Sequence, residues 1–291
     1  MIATASRGTD TGTATGQVIH LAHSPDSDDA FMFYGLAQGK VDTEGLRYIH
    51  ELQDIETLNQ RARRAELEVT AVSIHAYAYL TDRYALLPHG ASIGDRYGPR
   101  LVAREPLSRA DVRGRRIAIP GPLTTAYLAL RLYEPDFIAV PTPFDQIEAA
   151  VLAGDAELGL LIHEGQLTYA DEGLHLVADM GAWWYEETGL PLPLGGNVIR
   201  KDLGPALIAK VSRQLKESIA YGLAHREAAL DHAMQYARGL ARRKADTFVG
   251  MYVNEWTLDY GDRGRAAVRE LIGRGVSSGM IPGPVTIEFA D

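Results

Sequence analysis

Short apolar runs alternate with segments whose apolar residues recur every three or four positions, and the alternation comes in two blocks with a break at Pro106. Runs of the first kind read as strands and the second kind as helices. In the first block, residues 17–23 form a strand, and the turn Ser24-Pro25-Asp26-Ser27-Asp28-Asp29 opens a helix that stops near Gly39. Ser and Asp are strong helix N-caps, and Gly is a common stop. Residues 47–52 form a second strand, Asp54 caps a helix through Arg64, residues 68–73 form a third strand ending in Ser73, and a short helix covers 76–80. A strand at 101–104 leaves this unit.

The second block repeats the logic. Strands are expected at 116–119, 137–140, 158–162 and 175–178, with helices after Thr125 and over 143–153, the latter stopped by Gly154. Trp183-Trp184 and residues 189–196 lead back out. From Pro205 the chain is helical, with one apolar stripe through Val211, Leu215 and Ile219, a second helix over 225–240, and a third over 246–260 terminated by Gly261. The alternation predicts an α/β protein of two lobes with a central cleft, the default place for a ligand. The expected division is a flexible tail at 1–16, a large lobe of 17–104 and 199–291, and a small lobe of 105–198, with hinge crossings near Ala103 and Val198.

Composition removes several classes of function. With 291 residues, 46% of them hydrophobic, the chain can bury a normal core. A net charge of -9 argues against nucleic acid, because phosphate neutralisation needs a basic face. The absence of cysteine excludes disulfides, thiolate metal sites and thiol nucleophiles. No apolar run reaches the ~18 residues of a membrane span, and residues 1–16 lack the apolar centre of a signal peptide. Cytoplasm is the expected compartment.

Chemistry-bearing residues cluster at strand ends. The run 158–162 stops abruptly at His163-Glu164. Ligands in open α/β sheets sit outside the carboxyl ends of strands, and imidazole moves protons near neutral pH. Two readings of His163 stand side by side: a proton-transfer group aimed into the cleft, and a strand cap bonded to a nearby carbonyl. Gly121-Pro122-Leu123-Thr124-Thr125 forms a strand-to-helix turn whose free N–H groups suit a carboxylate or phosphate, and ordinary capping by threonine is the alternative. It lacks the Gly-Lys-Ser/Thr ending of a nucleotide loop. Ser24 and Ser73 follow or end strands, without the Gly-x-Ser-x-Gly elbow of a serine hydrolase. Asp26, Asp28 and Asp29 read as helix caps before metal ligands, the histidines have no metal-ligand spacing, and no metal is expected.

Several stretches taken together resemble the 1,4-dihydroxy-6-naphthoate synthase family of the futalosine route to menaquinone. They are Ser24-Pro25 through Asp29 and Phe31, Val72-Ser73, Thr124-Thr125-Ala126-Tyr127, Leu161-Ile162-His163-Glu164, Thr168-Tyr169, residues 189–195 and Tyr252-Val253-Asn254. The resemblance covers nearly the whole chain after the tail. It implies a two-lobed fold like that of type II periplasmic binding proteins. It implies a lyase that cleaves cyclic dehypoxanthinyl futalosine to 1,4-dihydroxy-6-naphthoate and a three-carbon fragment, with His163 as base and no cofactor. Substrate contacts are implied at Ala71, Val72, Ser73, Thr124 and Thr125, and Ser24 joins them as a strand-end hydroxyl. The partner is a small anionic aromatic substrate, with no nucleic acid or membrane, and the protein is a monomer or homodimer. Two departures stand out. The family's first turn runs Ser-Pro-Cys-Pro-Asn-Asp, against Ser24-Pro25-Asp26-Ser27-Asp28-Asp29 here, and a family lysine is replaced by Ala71. The competing expectation is a cytoplasmic small-anion binding protein, or a related enzyme of this fold with a different substrate.

Overall fold

The computed structural model describes residues 16–237 and 239–291. Eleven strands are present among them: β1 (Val18–His23), β2 (Arg47–Leu52), β3 (Val69–Ser73), β4 (Tyr84–Leu86), β5 (Ser92–Gly94), β6 (Arg100–Ala103), β7 (Arg116–Ile119), β8 (Ile138–Pro141), β9 (Leu158–Leu161), β10 (His175–Asp179) and β11 (Leu192–Arg200). They form two sheets. One has the order β2-β1-β3-β11-β4, with β5 also paired to β11; the other has the order β10-β6-β9-β7-β8.

In the first sheet β1 pairs in parallel with both β2 and β3. Parallel neighbours need crossover connections, and the helices Ser27–Met32, Tyr34–Ala37 and Ile55–Arg63 supply them. Asp54 caps the last of these as expected, accepting from the Thr57 N–H at 3.0 Å. The second sheet sets β7 parallel to β8 and β9. Its strands β7 and β9 are almost wholly buried, which explains why they read as short unbroken apolar runs.

The lobe boundaries differ from those expected. The strand Arg100–Ala103 was assigned to the large lobe, but it runs antiparallel between β9 and β10 in the second sheet. The first crossing therefore lies at 95–99, before this strand. Residues 192–198 were assigned to the small lobe, yet β11 lies between β3 and β4 in the first sheet. Val198 sits inside that strand, opposite Thr70 and Leu86, so no crossing is there. Proline and glycine are rare inside strands, which disguised this one. Pro193 sits beside a register shift, and a Cβ on Gly196 would lie 2.2 Å from the Tyr260 hydroxyl oxygen.

Gly261, taken as a terminator, stands at φ 56° at the start of the helix Gly261–Ser277, which buries Ala267, Val268, Leu271 and Ile272. Trp183 and Trp184 belong to the helix Met180–Thr188. The tail expected at 1–16 lies outside the described residues except for Gly16, where a Cβ would meet the Gly45 carbonyl oxygen at 2.2 Å. None of the described helices is long and apolar enough to cross a membrane.

The first crossing lies flush on the helix Met180–Thr188. A Cβ on Gly181 would come within 1.9 Å of the Tyr97 carbonyl oxygen, and one on Gly98 within 2.9 Å of the Gly181 nitrogen. These are backbone atoms, so relief requires the crossing itself to shift. Gly181→Ala is expected to destabilise the fold by about 1–3 kcal/mol, as overpacking does. Gly273→Ala, at a helical position with nothing within 4 Å, is expected to stabilise by about 0.5–1 kcal/mol. Urea unfolding of both variants checks the pair, and equal midpoints would refute the packing argument.

Candidate functional site

A cavity of about 120 Å³ lies between the lobes. Its floor is the carboxyl end of β3 and the middle of β11, where Gly195 and Gly196 stand opposite Ser73 and Val72. It is lined as well by the turn after β1, carrying Ser24, Asp26, Asp28 and Asp29, and by the first turn of the helix Thr125–Tyr133. Phe248 and Tyr252, from the helix Arg242–Tyr252, also line it. The structure thus brings Ser24, Ala71, Val72, Ser73, Thr124 and Thr125 to one cavity. His163 is not in its lining. It follows Ile162, which is, and lies buried with its ring edge-on to Phe144 at 5.1 Å.

Each hydroxyl can be followed. The Ser73 N–H donates to Asn59 Oδ1 at 2.9 Å, and Asn59 Nδ2 donates to Ser73 Oγ at 3.1 Å. Ser73 Oγ is thus held as an acceptor, with its own proton available for a ligand. The threonines differ. Thr124 Oγ1 accepts from the Tyr127 N–H as a helix cap and donates to the Gly121 carbonyl at 2.8 Å. Thr125 Oγ1 accepts from the His75 N–H and donates to the Leu194 carbonyl at 2.6 Å. Both threonine protons are engaged with backbone, so the side chains shape the turn. The helix N-terminus, with its unpaired first-turn N–H groups, remains as the anion-attracting feature.

Asn59 and His75 were missed from the sequence. Asn59 lies on the buried face of the helix Ile55–Arg63, a polar residue where the apolar stripe runs. His75 is buried, and its Nδ1 lies 3.2 Å from the Thr124 carbonyl, which fixes the proton on that nitrogen. Burial pushes the His75 pKa down to about 4, so the imidazole is neutral.

The acidic turn has its own order. Asp26 occupies the N-cap position of the helix Ser27–Met32 without a side-chain cap bond. Its carboxylate instead accepts from Ser24 Oγ, while Asp29 Oδ2 accepts from the Ser24 N–H at 2.7 Å. The capping expected of Asp26 is therefore replaced by a bond back to Ser24. Burial first, and then the charges of Asp29, Asp26 and Glu164, push Asp28 well above the usual carboxylate range. Burial raises Asp29 to about 7 against the lowering effect of its bond to Ser24. Among the described residues, neither lysine nor arginine lines the cavity. Among the described residues, no three His, Asp or Glu side chains are grouped to hold a metal ion.

The lobes are tied across the cleft. Ser27 Oγ donates to Glu164 Oε1 at 3.0 Å, and Tyr252 donates to Gln166 Oε1 at 2.8 Å. On the other side the Leu123 N–H donates to Glu56 Oε2 at 3.1 Å, and Lys244 pairs with Asp171 at the rim.

Because the folded pKa values of Asp28 and Asp29 lie above the ordinary value, the folded protein keeps protons that the unfolded chain has released. Stability is then greatest at low pH and falls as pH rises from about 4 through the Asp29 value of about 7. Asp28→Asn removes one of these acids at constant shape. Its melting temperature is expected to exceed that of the parent protein by more at pH 8 than at pH 5, and an equal difference at both would refute the linkage.

The family described as menaquinone biosynthesis matches over residues 19–277. The 1,4-dihydroxy-6-naphtoate synthase of Thermus thermophilus is 41% identical over 264 residues, 91% of this chain and 96% of that protein. The Streptomyces coelicolor protein of the same name is 37% identical over 283 residues, 94% of this chain and 99% of that one. A solved structure from Archaeoglobus fulgidus superposes with a TM-score of 0.86 at 48% identity, over 91% of this chain and 98% of that one. The alkanesulfonate-binding protein SsuA of Xanthomonas axonopodis superposes at 0.67 with 10% identity, over 94% of this chain and 98% of its own, which shows the fold alone to be that of periplasmic binding proteins. With two sheets, a cleft between them and a match along almost all of its described length, the chain belongs to the menaquinone biosynthesis family.

Proposed function

We propose that the protein is an enzyme that forms 1,4-dihydroxy-6-naphthoate by cleaving cyclic dehypoxanthinyl futalosine with loss of a three-carbon fragment. The observation that carries this reading is the 41% identity to a synthase of that product over 91% of the chain. The cavity supports it. It is shaped by two lobes, and its lining is largely apolar, suited to an aromatic ring system. The product is aromatic, so the reaction has its own driving force, and the protein has to hold the substrate, exclude water and move a proton.

The residues divide the work. The N-terminus of the helix Thr125–Tyr133 holds a carboxylate, with Thr124 and Thr125 fixing its geometry. Ser73, oriented by Asn59, offers a hydroxyl proton. Ala71 supplies contact without charge. His163 takes the proton as base: it follows directly on Ile162, which lines the cavity, and imidazole is the side chain suited to moving protons near neutral pH. In this reading the cross-lobe bonds Ser27–Glu164 and Tyr252–Gln166 close the site around the substrate.

The decisive experiment incubates the purified protein with cyclic dehypoxanthinyl futalosine and follows 1,4-dihydroxy-6-naphthoate by chromatography. Binding without product would favour a binding protein, the activity that the fold's other members suggest. His163→Ala is expected to lower kcat by at least about 10²-fold, the usual contribution of a positioned base, while product affinity changes little. Turnover near that of the unaltered enzyme would remove His163 from the mechanism.

A further inference from the structure

A carboxylate of the first lobe reaches the turn that precedes the helix Thr125–Tyr133. Glu56, on the helix Ile55–Arg63, accepts from the Leu123 N–H at 3.1 Å and from Gln60 Nε2 at 2.9 Å. The turn is shaped to receive it. Gly121 stands at φ 153°, and a Cβ there would lie 2.4 Å from Glu56 Oε2 and 2.5 Å from its Cγ, so the approach depends on glycine. Glu56 is not in the cavity lining, although its neighbour Ile55 is, and so is Thr124, which follows Leu123.

The same acid stands three residues before Asn59, so the two share a face of their helix. Asn59 is fully buried and grips Ser73 twice: its Oδ1 accepts from the Ser73 N–H at 2.9 Å, and its Nδ2 donates to Ser73 Oγ at 3.1 Å. These bonds fix which way the amide faces. Turned over, it would set its NH₂ against the Ser73 N–H, donor against donor. One Nδ2 hydrogen is left over in a place closed to water, where an unmet N–H is costly. Glu56 is the acid beside it. Burial raises the Glu56 pKa, bonds from Gln60, Leu123 and the Asn59 side chain oppose the rise by favouring the carboxylate, and the charge of Asp54 adds to it.

We propose that Glu56 is a positioning residue: it holds the Leu123 turn of the second lobe and, through Asn59, sets the direction of the Ser73 hydroxyl in the first. The proposal rests on the reading of Ser73 as a substrate-binding hydroxyl. It makes the approach of the lobes and the orientation of that hydroxyl one event. With the lobes together, the Leu123 N–H pins the carboxylate, the carboxylate pins the amide, and the amide pins Ser73. With the lobes apart, Glu56 loses the Leu123 N–H and the amide loses its fixed acceptor. Substrate then meets an oriented hydroxyl only in the closed cleft, where orientation counts for most.

The test is a double-mutant cycle read by anaerobic calorimetry with 1,4-dihydroxy-6-naphthoate. Ser73→Ala is expected to weaken binding by about tenfold, the loss of one hydrogen bond. Glu56→Ala should weaken it by about fivefold or more in the unaltered background but by less than about twofold in the Ser73→Ala background, because the two belong to one network. In turnover the Glu56→Ala loss should appear in KM, with kcat within about twofold, as for a contact kept in ground and transition states alike. A second measurement needs no ligand. In Glu56→Ala the Ser73 amide, bonded to Asn59, should exchange with solvent at least about tenfold faster, while the Val69 amide at the other end of β3 is unchanged. Equal losses in both backgrounds, a loss confined to kcat, or unchanged exchange at Ser73 each overturn the proposal and leave the proposed reaction standing. An unaltered protein that binds no naphthoate overturns the naphthoate reading and, with it, the substrate role given to Ser73 here.

Discussion

The strand Leu192–Arg200 is the member on which the rest of the structure depends. It returns from the second lobe and inserts antiparallel between β3 and β4, so the first sheet is continuous only because it is there. Its register sets Gly195 against Ser73 and Asn197 against Ala71, which makes the floor of the cavity from two segments far apart in sequence. The glycines allow close approach: a Cβ on Gly196 would collide with the Tyr260 hydroxyl. Its neighbour Leu194 takes the Thr125 hydroxyl proton through its carbonyl, so the same strand also anchors the first turn of the opposite lobe.

The protein has put several titratable groups in environments that oppose their charged forms. Asp28 and Asp29 are pushed up by burial, while burial drives His23 down to about 3 and His75 and His89 down to about 4. Desolvation dominates in every case, so these shifts reflect enclosure more than pairing. The helix N-terminus at Thr125 is then the favourable pole for an anion in a cavity lined, among the described residues, by no cationic side chain. A site of this kind discriminates by where donors and acceptors lie.

The fold is shared with solute-binding proteins such as SsuA at 10% identity, and a fold shared so distantly says nothing of chemistry. What distinguishes this chain lies in its details. A serine is oriented by a buried asparagine, and a histidine follows the buried strand β9. The lobes are tied by Ser27 to Glu164 and by Tyr252 to Gln166. These are side-chain arrangements on a common frame, in a chain 41% identical to a biosynthetic enzyme.

Much of the frame was legible from sequence. β2 and β7 fall where their apolar pattern puts them, Asp54 caps its helix, and Gly154 ends another in the left-handed conformation. Local periodicity and capping determine such features, because the forces behind them act within a few residues. The apolar repeat after Gly261 carried the same signal, but the glycine at its head was read as an end. Sequence also placed Ser73, Thr124 and Thr125 at turns after strands, where a cleft would lie. Tertiary structure decided the rest. It placed Arg100–Ala103 in the second sheet and Leu192–Arg200 in the first, since strand membership depends on partners that periodicity cannot name. It spent the threonine protons on Gly121 and Leu194, gave Asn59 and His75 their positioning roles, and left the Asn197 oxygen unpaired. A hydrogen bond is settled by distance and direction between groups remote in the chain, and those are fixed only when the whole molecule is packed.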